Sequence, residues 1–148
     1  HSRQSSSAKE RLKGFQDALK KNNIGYDEEL SKFTVDLQKK DYQENIRTFL
    51  QNAASVDGIF AINDNIALEL LAFLPTIGKK IPVDIKIIGF DDTPQCKYTV
   101  PKLSSVKQNI PKIAQITVDN LLSIIANPNQ KRSITEIVPI DLALRESV

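Results

Sequence analysis

The sequence has almost none of the residues that build redox centres, zinc sites and histidine-dependent active sites. Its 148 residues include one cysteine, Cys96, and one histidine, His1, with no methionine and no tryptophan. A single cysteine excludes an internal disulfide framework and a cysteine-based metal cluster. Because the only histidine is the first residue, a Ser-His pair and a histidine-ligated zinc site are also excluded. We therefore expect no catalytic residues, no metal ion and no other cofactor.

The chain also lacks long apolar runs and an excess of charge of one sign. No apolar stretch approaches the roughly 20 residues that span a bilayer, and residues 1 to 23 have no apolar centre of the kind found in signal peptides. We therefore expect no membrane partner. Lys and Arg number 20 against 18 Asp and Glu, and the net charge of +2 neither supports nor excludes contact with nucleic acid. The length and the fractions of hydrophobic (41%) and charged (26%) residues are typical of one globular domain.

Short apolar runs alternate with helical patterns in the first two thirds of the chain. Ile85 to Phe90 is an apolar run between turn-forming residues, and Gly58 to Ile62 and Phe33 to Leu37 are further strand candidates. Helical periodicity is found over residues 8 to 21, 42 to 53 and 64 to 74. This alternation predicts an α/β fold with a Rossmann-like parallel sheet that is flanked by helices on both faces.

The pattern changes after the strand that ends at Phe90. Residues 91 to 102 contain two prolines and no periodicity, so we expect a loop, followed by a strand from Leu103 to Gln108. The last segment alternates apolar and polar residues from Val138 to Leu144, and Pro139 favours an edge position for that strand. Between them we predict a helix with a buried face made of Ile113, Ala114, Thr117, Leu121, Ile124 and Ile125.

Polar side chains follow two of the predicted parallel strands. Asn63 and Asp64 come after the strand that ends at Ile62, and Asp91 comes after the strand that ends at Phe90. Ligands of open α/β sheets bind outside the carboxyl ends of the strands. We therefore expect these polar groups to meet in one cleft.

Simpler roles remain open for the same residues, because Asn63 and Asp64 precede a helix and are common helix caps. Arg11 lies off the apolar stripe of the first helix, where it is either a solvated charge or a ligand clamp. The acids at positions 91 and 92 also suit a receiver-type phosphoryl site with Lys107 as charge partner. Residues 1 to 40 contain no acidic cluster at the matching place, which weighs against that reading.

Several segments carry recognisable motifs in a fixed order, namely Ser5 to Phe15, Asp57 to Asp64, Ile87 to Asp92, Pro101 to Gln108 and Leu142 to Ser147. Together they resemble the lactose/galactose repressor family of bacterial transcription regulators, in the carboxyl-terminal half of its sugar-binding core. The resemblance covers almost the whole chain. It implies two α/β lobes like those of periplasmic sugar-binding proteins, with the effector held between the lobes.

The resemblance also implies how the chain is divided between the lobes. Residues 1 to 108 would form the C-terminal lobe, incomplete because its first strand would lie just upstream of residue 1. Residues 109 to 132 would belong to the N-terminal lobe, and residues 133 to 148 would return as a strand to the C-terminal lobe. Operator DNA would be bound by a helix-turn-helix domain that this chain does not contain.

The resemblance assigns candidate ligand-binding residues by motif. Arg11 matches an arginine that grips effector hydroxyls or a carboxylate. Asn63 matches a polar residue at a strand end, and Asp91 matches the acid that accepts hydrogen bonds from sugar hydroxyls. The chemistry agrees, because carboxylate, amide and guanidinium groups offer directional acceptors and donors to adjacent hydroxyls. Gln108 and Ile110, at the lobe crossing, are further candidates.

Two positions depart from the family pattern. Leu37 stands near a position where the family often has an aromatic platform, and Ile110 stands near one where it often has a larger side chain. Stacking on a sugar face would therefore be reduced, which favours an effector other than a typical hexose.

The function implied by the resemblance is effector sensing without catalysis, in a cytoplasmic repressor whose lobe closure changes its affinity for operator DNA. The effector would be a sugar or a related small metabolite. A homodimer is expected to form partly through this lobe, with Leu68 and the loop near residues 95 to 101 as contacts. The alternative is an extracytoplasmic sugar-binding protein of a transporter, which shares the fold. A helix-turn-helix upstream would favour the first reading, and a signal peptide the second.

Overall fold

A four-stranded mixed sheet lies at the centre of the fold, with the strand order β1-β2-β3-β4. Its strands are β1 (Gly58–Phe60), β2 (Lys86–Phe90), β3 (Ser104–Gln108) and β4 (Ile140–Ala143). The first three run parallel, and β4 pairs with β3 in the antiparallel direction. This computed structural model describes residues 6–28, 41–52, 55–127 and 135–148. The strand predicted at residues 33 to 37 lies outside them.

The described residues include four helices beside the sheet, and the sequence pattern predicted all four. They are α1 (Ser6–Lys21), α2 (Tyr42–Asn52), α3 (Asp64–Phe73) and α4 (Ile110–Ala126). A short 3-10 turn, Leu74–Ile77, extends α3 and ends at Gly78, whose φ of 80° places it in the left-handed region that glycine adopts easily. A second 3-10 turn, Pro94–Lys97, lies in the predicted loop between β2 and β3.

The two faces of the sheet are covered by different helices, as the sequence predicted. On one face, Gly89 of β2 lies against Ala67 of α3. On the other face, Phe15 of α1 stacks on Phe60 of β1 with ring centroids 6.1 Å apart. The buried core lies on the α3 side and also includes residues of α2. Its members are Ile46, Leu50, Ala61, Ala67, Leu70, Leu71, Phe73, Leu74, Ile85, Ile87, Cys96 and Leu103.

The packing predicted for α4 is wrong. No residue of this helix is buried, and Leu121, Ile124 and Ile125 are 54%, 47% and 65% exposed. Helical periodicity reports that a face is suited to burial, but it does not say which element covers it. The described part of the chain leaves this face of α4 open to solvent.

The edge position predicted for the last strand is confirmed, because β4 is the outer strand next to β3. Its apolar side is nevertheless open, since Ile140 and Leu142 are 56% and 51% exposed. The alternation therefore identified the strand correctly, while its apolar side remains exposed in the described part of the chain.

The close approach of α3 to β2 requires glycine at position 89. A Cβ there would collide with the Asp64 carboxylate and lie 3.3 Å from both Ala67 Cβ and Leu103 Cδ2. We expect Gly89→Ala to lower the unfolding free energy by about 1–3 kcal/mol, as overpacking of a core does. Urea denaturation measures this, with Gly58→Ala as the control, because a Cβ at position 58 meets nothing within 4 Å. Equal stability of the two variants would contradict the packing described.

Candidate functional site

The carboxyl ends of β1 and β2 lie side by side at one edge of the sheet. The strands are parallel neighbours with Phe60 opposite Ile88, and the Ala61 amide donates to the Ile88 carbonyl at 2.8 Å. Asn63 therefore leaves β1 at the same edge at which Asp91 leaves β2. This is the arrangement that the sequence predicted for a single cleft.

Arg11 spans this edge from α1. Its Nη1 donates to the carbonyl of Ile62 at 2.5 Å, and its Nη2 lies 3.5 Å from Oδ1 of Asp91. The guanidinium carbon is 3.7 Å from the centroid of the Phe90 ring, a cation–π geometry. Arg11 therefore lies at the cleft edge and is not a fully solvated helix charge, while its role as a ligand clamp stays a prediction.

Asp91 is held on its other side by the end of β3. Gln108 Nε2 donates to Oδ1 of Asp91 at 2.8 Å. The contacts with Arg11 and Gln108 both use this one oxygen, and a carboxylate offers about four acceptor positions. Acceptor capacity is therefore left for a ligand. Arg11, Asp91 and Gln108, three of the predicted site residues, form what we call the edge cluster.

The ionisation of Asp91 is shifted by its surroundings. Burial raises the pKa of Asp91 above the ordinary value of 3.8, and the nearby carboxylate of Asp64 raises it further. The positive charge of Arg11 and the hydrogen bond from Gln108 act in the opposite direction. Because burial is the largest of these effects, the ionised form of Asp91 is disfavoured relative to an exposed aspartate.

Asn63 is the helix cap, and Asp64 is not. Asn63 Oδ1 accepts a hydrogen bond from the Ile66 amide at 3.0 Å, which satisfies the first turn of α3. Of the two residues that the sequence offered as caps, the structure therefore uses Asn63. Asn63 can cap α3 and contact a ligand at the same time, because the cap uses Oδ1 and Nδ2 is a separate donor.

Asp64 is instead a buried acceptor that sequence reasoning missed. It is 1% exposed. Its Oδ1 accepts from Ser105 Oγ at 2.6 Å, and its Oδ2 accepts from the Thr93 amide at 2.7 Å and from Cys96 Sγ at 3.2 Å. Two features of the sequence were compatible with a buried carboxylate here. Ser105 is a polar residue in a core strand, and Gly89 has no side chain and so leaves room for the Asp64 carboxylate.

The turn after β2 has an unusual backbone that also escaped prediction. Asp91 and Asp92 have φ values of 117° and 52°, and non-glycine residues in such regions cost of order 1–3 kcal/mol each. Arg145 Nη2 contacts Asp92 Oδ1 at 2.5 Å, and both side chains are largely buried. Nothing in the spacing of the sequence indicated that a residue 53 positions away would reach this turn.

The remaining predicted residues lie elsewhere or outside the described chain. Ile110 begins α4 two residues after Gln108 and is 56% exposed. Leu68, proposed as an exposed dimer contact, is half-buried and packs against the core. Leu37 lies outside the described residues. Within the described ranges, no group of three His, Cys, Asp or Glu side chains is arranged to hold a metal ion. No described helix combines the length and apolarity needed to cross a membrane.

Comparison with known proteins identifies the family. Residues 1–148 match the periplasmic binding protein-like domain. The chain belongs to this family. Among curated relatives, the HTH-type transcriptional regulator MalR of Clostridium butyricum is 33% identical over 134 residues, which cover 88% of this chain and 40% of MalR. The curated relatives named here are transcriptional regulators and not enzymes. Similar solved structures are regulators of the LacI family, which confirms the resemblance to the lactose/galactose repressor family.

Solved structures of transcriptional regulators share the fold of this chain. The transcriptional regulator CelR in complex with cellobiose has a TM-score of 0.83 and 26% identity, covering 99% of this chain and 44% of that one. A LacI family regulator from Enterococcus faecalis V583 with bound ribose is 40% identical, with a TM-score of 0.56, over 61% of this chain and 33% of that one. The chain spans about two fifths of the length of MalR.

The raised pKa of Asp91 predicts a pH-dependent effect of Asp91→Asn on stability. A group whose pKa rises on folding contributes stability below its unfolded pKa, and loses it as pH rises through the folded pKa. At neutral pH the ionised Asp91 therefore costs stability. We expect Asp91→Asn to be as stable as the wild type or more stable at neutral pH, with the advantage disappearing below pH 3.8.

Urea denaturation of both proteins across this pH range measures the difference. Asp57→Asn is the control, because Asp57 is exposed at the opposite end of the sheet. A marked loss of stability in Asp91→Asn at neutral pH would mean that the attraction to Arg11 outweighs burial.

Proposed function

We propose that this chain is the effector-sensing part of a bacterial LacI-type transcription repressor, and that the effector is a sugar or a related small metabolite. The observation that carries the proposal is the edge cluster, in which Arg11, Asp91 and Gln108 converge at the carboxyl edge of the parallel strands. Ligands of open α/β sheets bind at this edge.

The chemistry of the edge cluster suits recognition of adjacent hydroxyl groups. The Asp91 carboxylate accepts hydrogen bonds, Gln108 can accept through its Oε1, and the Arg11 guanidinium donates. Asn63 adds an amide at the same edge. Cellobiose and ribose, named with two of the similar structures, are both rich in hydroxyls. The cluster holds no pair of nucleophile and base, so we assign it to binding and not to catalysis.

Signalling requires the N-terminal lobe as well, and we propose that α4 belongs to it and packs against the rest of that lobe. The exposed apolar residues Leu121, Ile124 and Ile125 of α4 are suited to burial against another element. In this proposal residues 109 to 132 belong to the N-terminal lobe, while residues 1 to 108 and 133 to 148 form the C-terminal lobe. The effector then changes operator affinity only if it binds the two lobe arrangements with different affinity.

The rival function is sugar delivery by an extracytoplasmic binding protein. The curated relatives are named as transcriptional regulators and repressors, which favours the repressor. In the favoured reading the protein is cytoplasmic, and a helix-turn-helix in the same polypeptide binds operator DNA. The coding sequence upstream distinguishes the two, because a helix-turn-helix indicates the repressor and a signal peptide the transport protein.

A homodimer is part of the proposal. The loop after the Pro94–Lys97 turn exposes two large apolar side chains, Tyr98 at 82% and Val100 at 94%. Exposed apolar side chains of this kind favour association. We therefore assign the dimer contact to this loop first and to the half-buried Leu68 second.

Substitution of Asp91 tests the binding site. Calorimetry of the full-length protein against a panel that includes ribose and cellobiose is expected to detect a ligand. Asp91→Ala is expected to weaken its binding about 10- to 100-fold, because a hydrogen bond to a charged group contributes about 1.5–3 kcal/mol. Asp57→Ala, which removes a carboxylate at the opposite end of the sheet, should leave the affinity unchanged. Equal affinity of Asp91→Ala and the wild type would remove Asp91 from the site, and a panel without any binder would contradict the proposed effector class.

Charge in the exposed loop tests the dimer. The double variant Tyr98→Asp, Val100→Asp is expected to shift the full-length protein from dimer to monomer in sedimentation velocity, because it places two charges in a contact that should be apolar. Val83→Asp is the matched control, since Val83 is 77% exposed in the turn before β2. A dimer that persists in the double variant, or that Val83→Asp disrupts equally, would exclude this loop as the contact.

A further inference from the structure

The turn that contains Asp91 has a backbone conformation that is unfavourable for its own residues. Asp91 and Asp92 are consecutive non-glycine residues with φ values of 117° and 52°. Aspartate tolerates the left-handed region near 57°, but a φ of 117° lies outside it. Contacts from other segments must therefore maintain the turn.

The backbone of the turn is held by β3 and α3. Three successive amide groups donate outward: Asp91 to the Val106 carbonyl at 2.9 Å, Asp92 to Ser105 Oγ at 3.1 Å, and Thr93 to Asp64 Oδ2 at 2.7 Å. These bonds fix the path of the chain on the sheet side. The Asp92 side chain is held separately.

Arg145 holds the Asp92 side chain from the segment after β4. Its Nη2 donates to Asp92 Oδ1 at 2.5 Å, and its Nη1 donates to the Leu103 carbonyl at 2.6 Å. The side chains of Arg145 and Asp92 are 14% and 9% exposed, so solvent screens this ion pair little. The guanidinium thus joins the turn to the start of β3 with two donors in one rigid plane.

The position of Arg145 is itself fixed by its neighbours. Its amide donates to Ser104 Oγ at 2.7 Å. Two residues later, Ser147 Oγ donates to the Ile87 carbonyl at 2.6 Å and accepts from the Ser104 amide at 2.8 Å. Arg145 therefore acts from a segment that is anchored to both β2 and β3.

We propose that Arg145 is a positioning residue for effector recognition: by holding Asp92 it keeps the Asp91–Asp92 turn in the positive-φ conformation that directs the Asp91 carboxylate to the cleft. The inference deepens the proposed function of the edge cluster and rests on it. Arg145 itself does not contact the effector.

A purely structural role for Arg145 makes a different prediction. If the ion pair only anchors the end of the chain, its loss lowers the unfolding free energy but leaves the folded site, and hence the affinity, intact. A positioning role changes the affinity and the backbone of the turn under conditions in which the protein is fully folded.

The test uses the full-length protein with ribose and cellobiose as probes. Arg145→Gln is expected to weaken binding by about tenfold or more, within the range measured for coupled neighbours. Arg145→Lys should restore part of the affinity, because it keeps the charge beside Asp92 but not the two-donor plane. Glu146→Gln removes the exposed ion pair with Lys102 in the same segment and should bind like the wild type.

Crystal structures of the variants provide a readout that needs no ligand. In Arg145→Gln the φ values of Asp91 and Asp92 are expected to leave the positive region, and they should stay there in Glu146→Gln. If Arg145→Gln does not fold, Asp92→Asn is measured in the same way, because it removes the charge of the other member of the ion pair. If neither probe binds the wild type, the proposed function fails, while the φ values still decide the positioning role.

Wild-type affinity together with unchanged φ values in Arg145→Gln, or in Asp92→Asn in its place, would overturn the inference. An equal loss of affinity in Glu146→Gln would overturn it as well, because the effect would then belong to the whole segment rather than to Arg145.

Discussion

The buried carboxylate of Asp64 is the interaction on which the geometry of the cleft depends. A carboxylate at 1% exposure is costly unless donors surround it. The donors are the Ser105 hydroxyl, the Thr93 amide and the Cys96 thiol, which belong to β3 and to the loop after β2. Because all three donors bond to the same carboxylate, the start of α3, the loop after β2 and β3 are held in fixed positions relative to one another. The position of Asp91, at the end of β2, depends on these contacts.

The same carboxylate makes the electrostatics of the cleft depend on Arg11. Asp64 raises the pKa of Asp91 in addition to the effect of burial, and Arg11 opposes both. The guanidinium also stacks on Phe90 and donates to the Ile62 carbonyl, so its place does not depend on Asp91 alone. A cation fixed in this way opposes the rise in the pKa of Asp91 and so favours the ionised form of this partly buried carboxylate.

The sequence predicted what depends on local pattern and missed what depends on distant contacts. Alternation and capping residues located the strands, the helices and the shared edge of Asn63 and Asp91, and the family motifs located Arg11 and Gln108. The burial of α4 was predicted wrongly, because periodicity does not name the covering element. The roles of Asp64 and Arg145 were missed for a related reason: their partners lie 29 to 41 and 42 to 53 positions away, and no spacing rule links them.

The return segment after β4 connects these observations to signalling. It carries Arg145 to the turn after β2, and it follows α4, the helix that the described chain leaves uncovered. If α4 belongs to the N-terminal lobe, as proposed, a movement of that lobe reaches the sheet at β4, while the anchoring of Ser147 resists it. Coupling between a ligand and a distant site requires an element with two arrangements that both sites bias. In the proposed switch, the segment that contains Arg145 and Ser147 is the fixed side of that element, because it is anchored to β2 and β3.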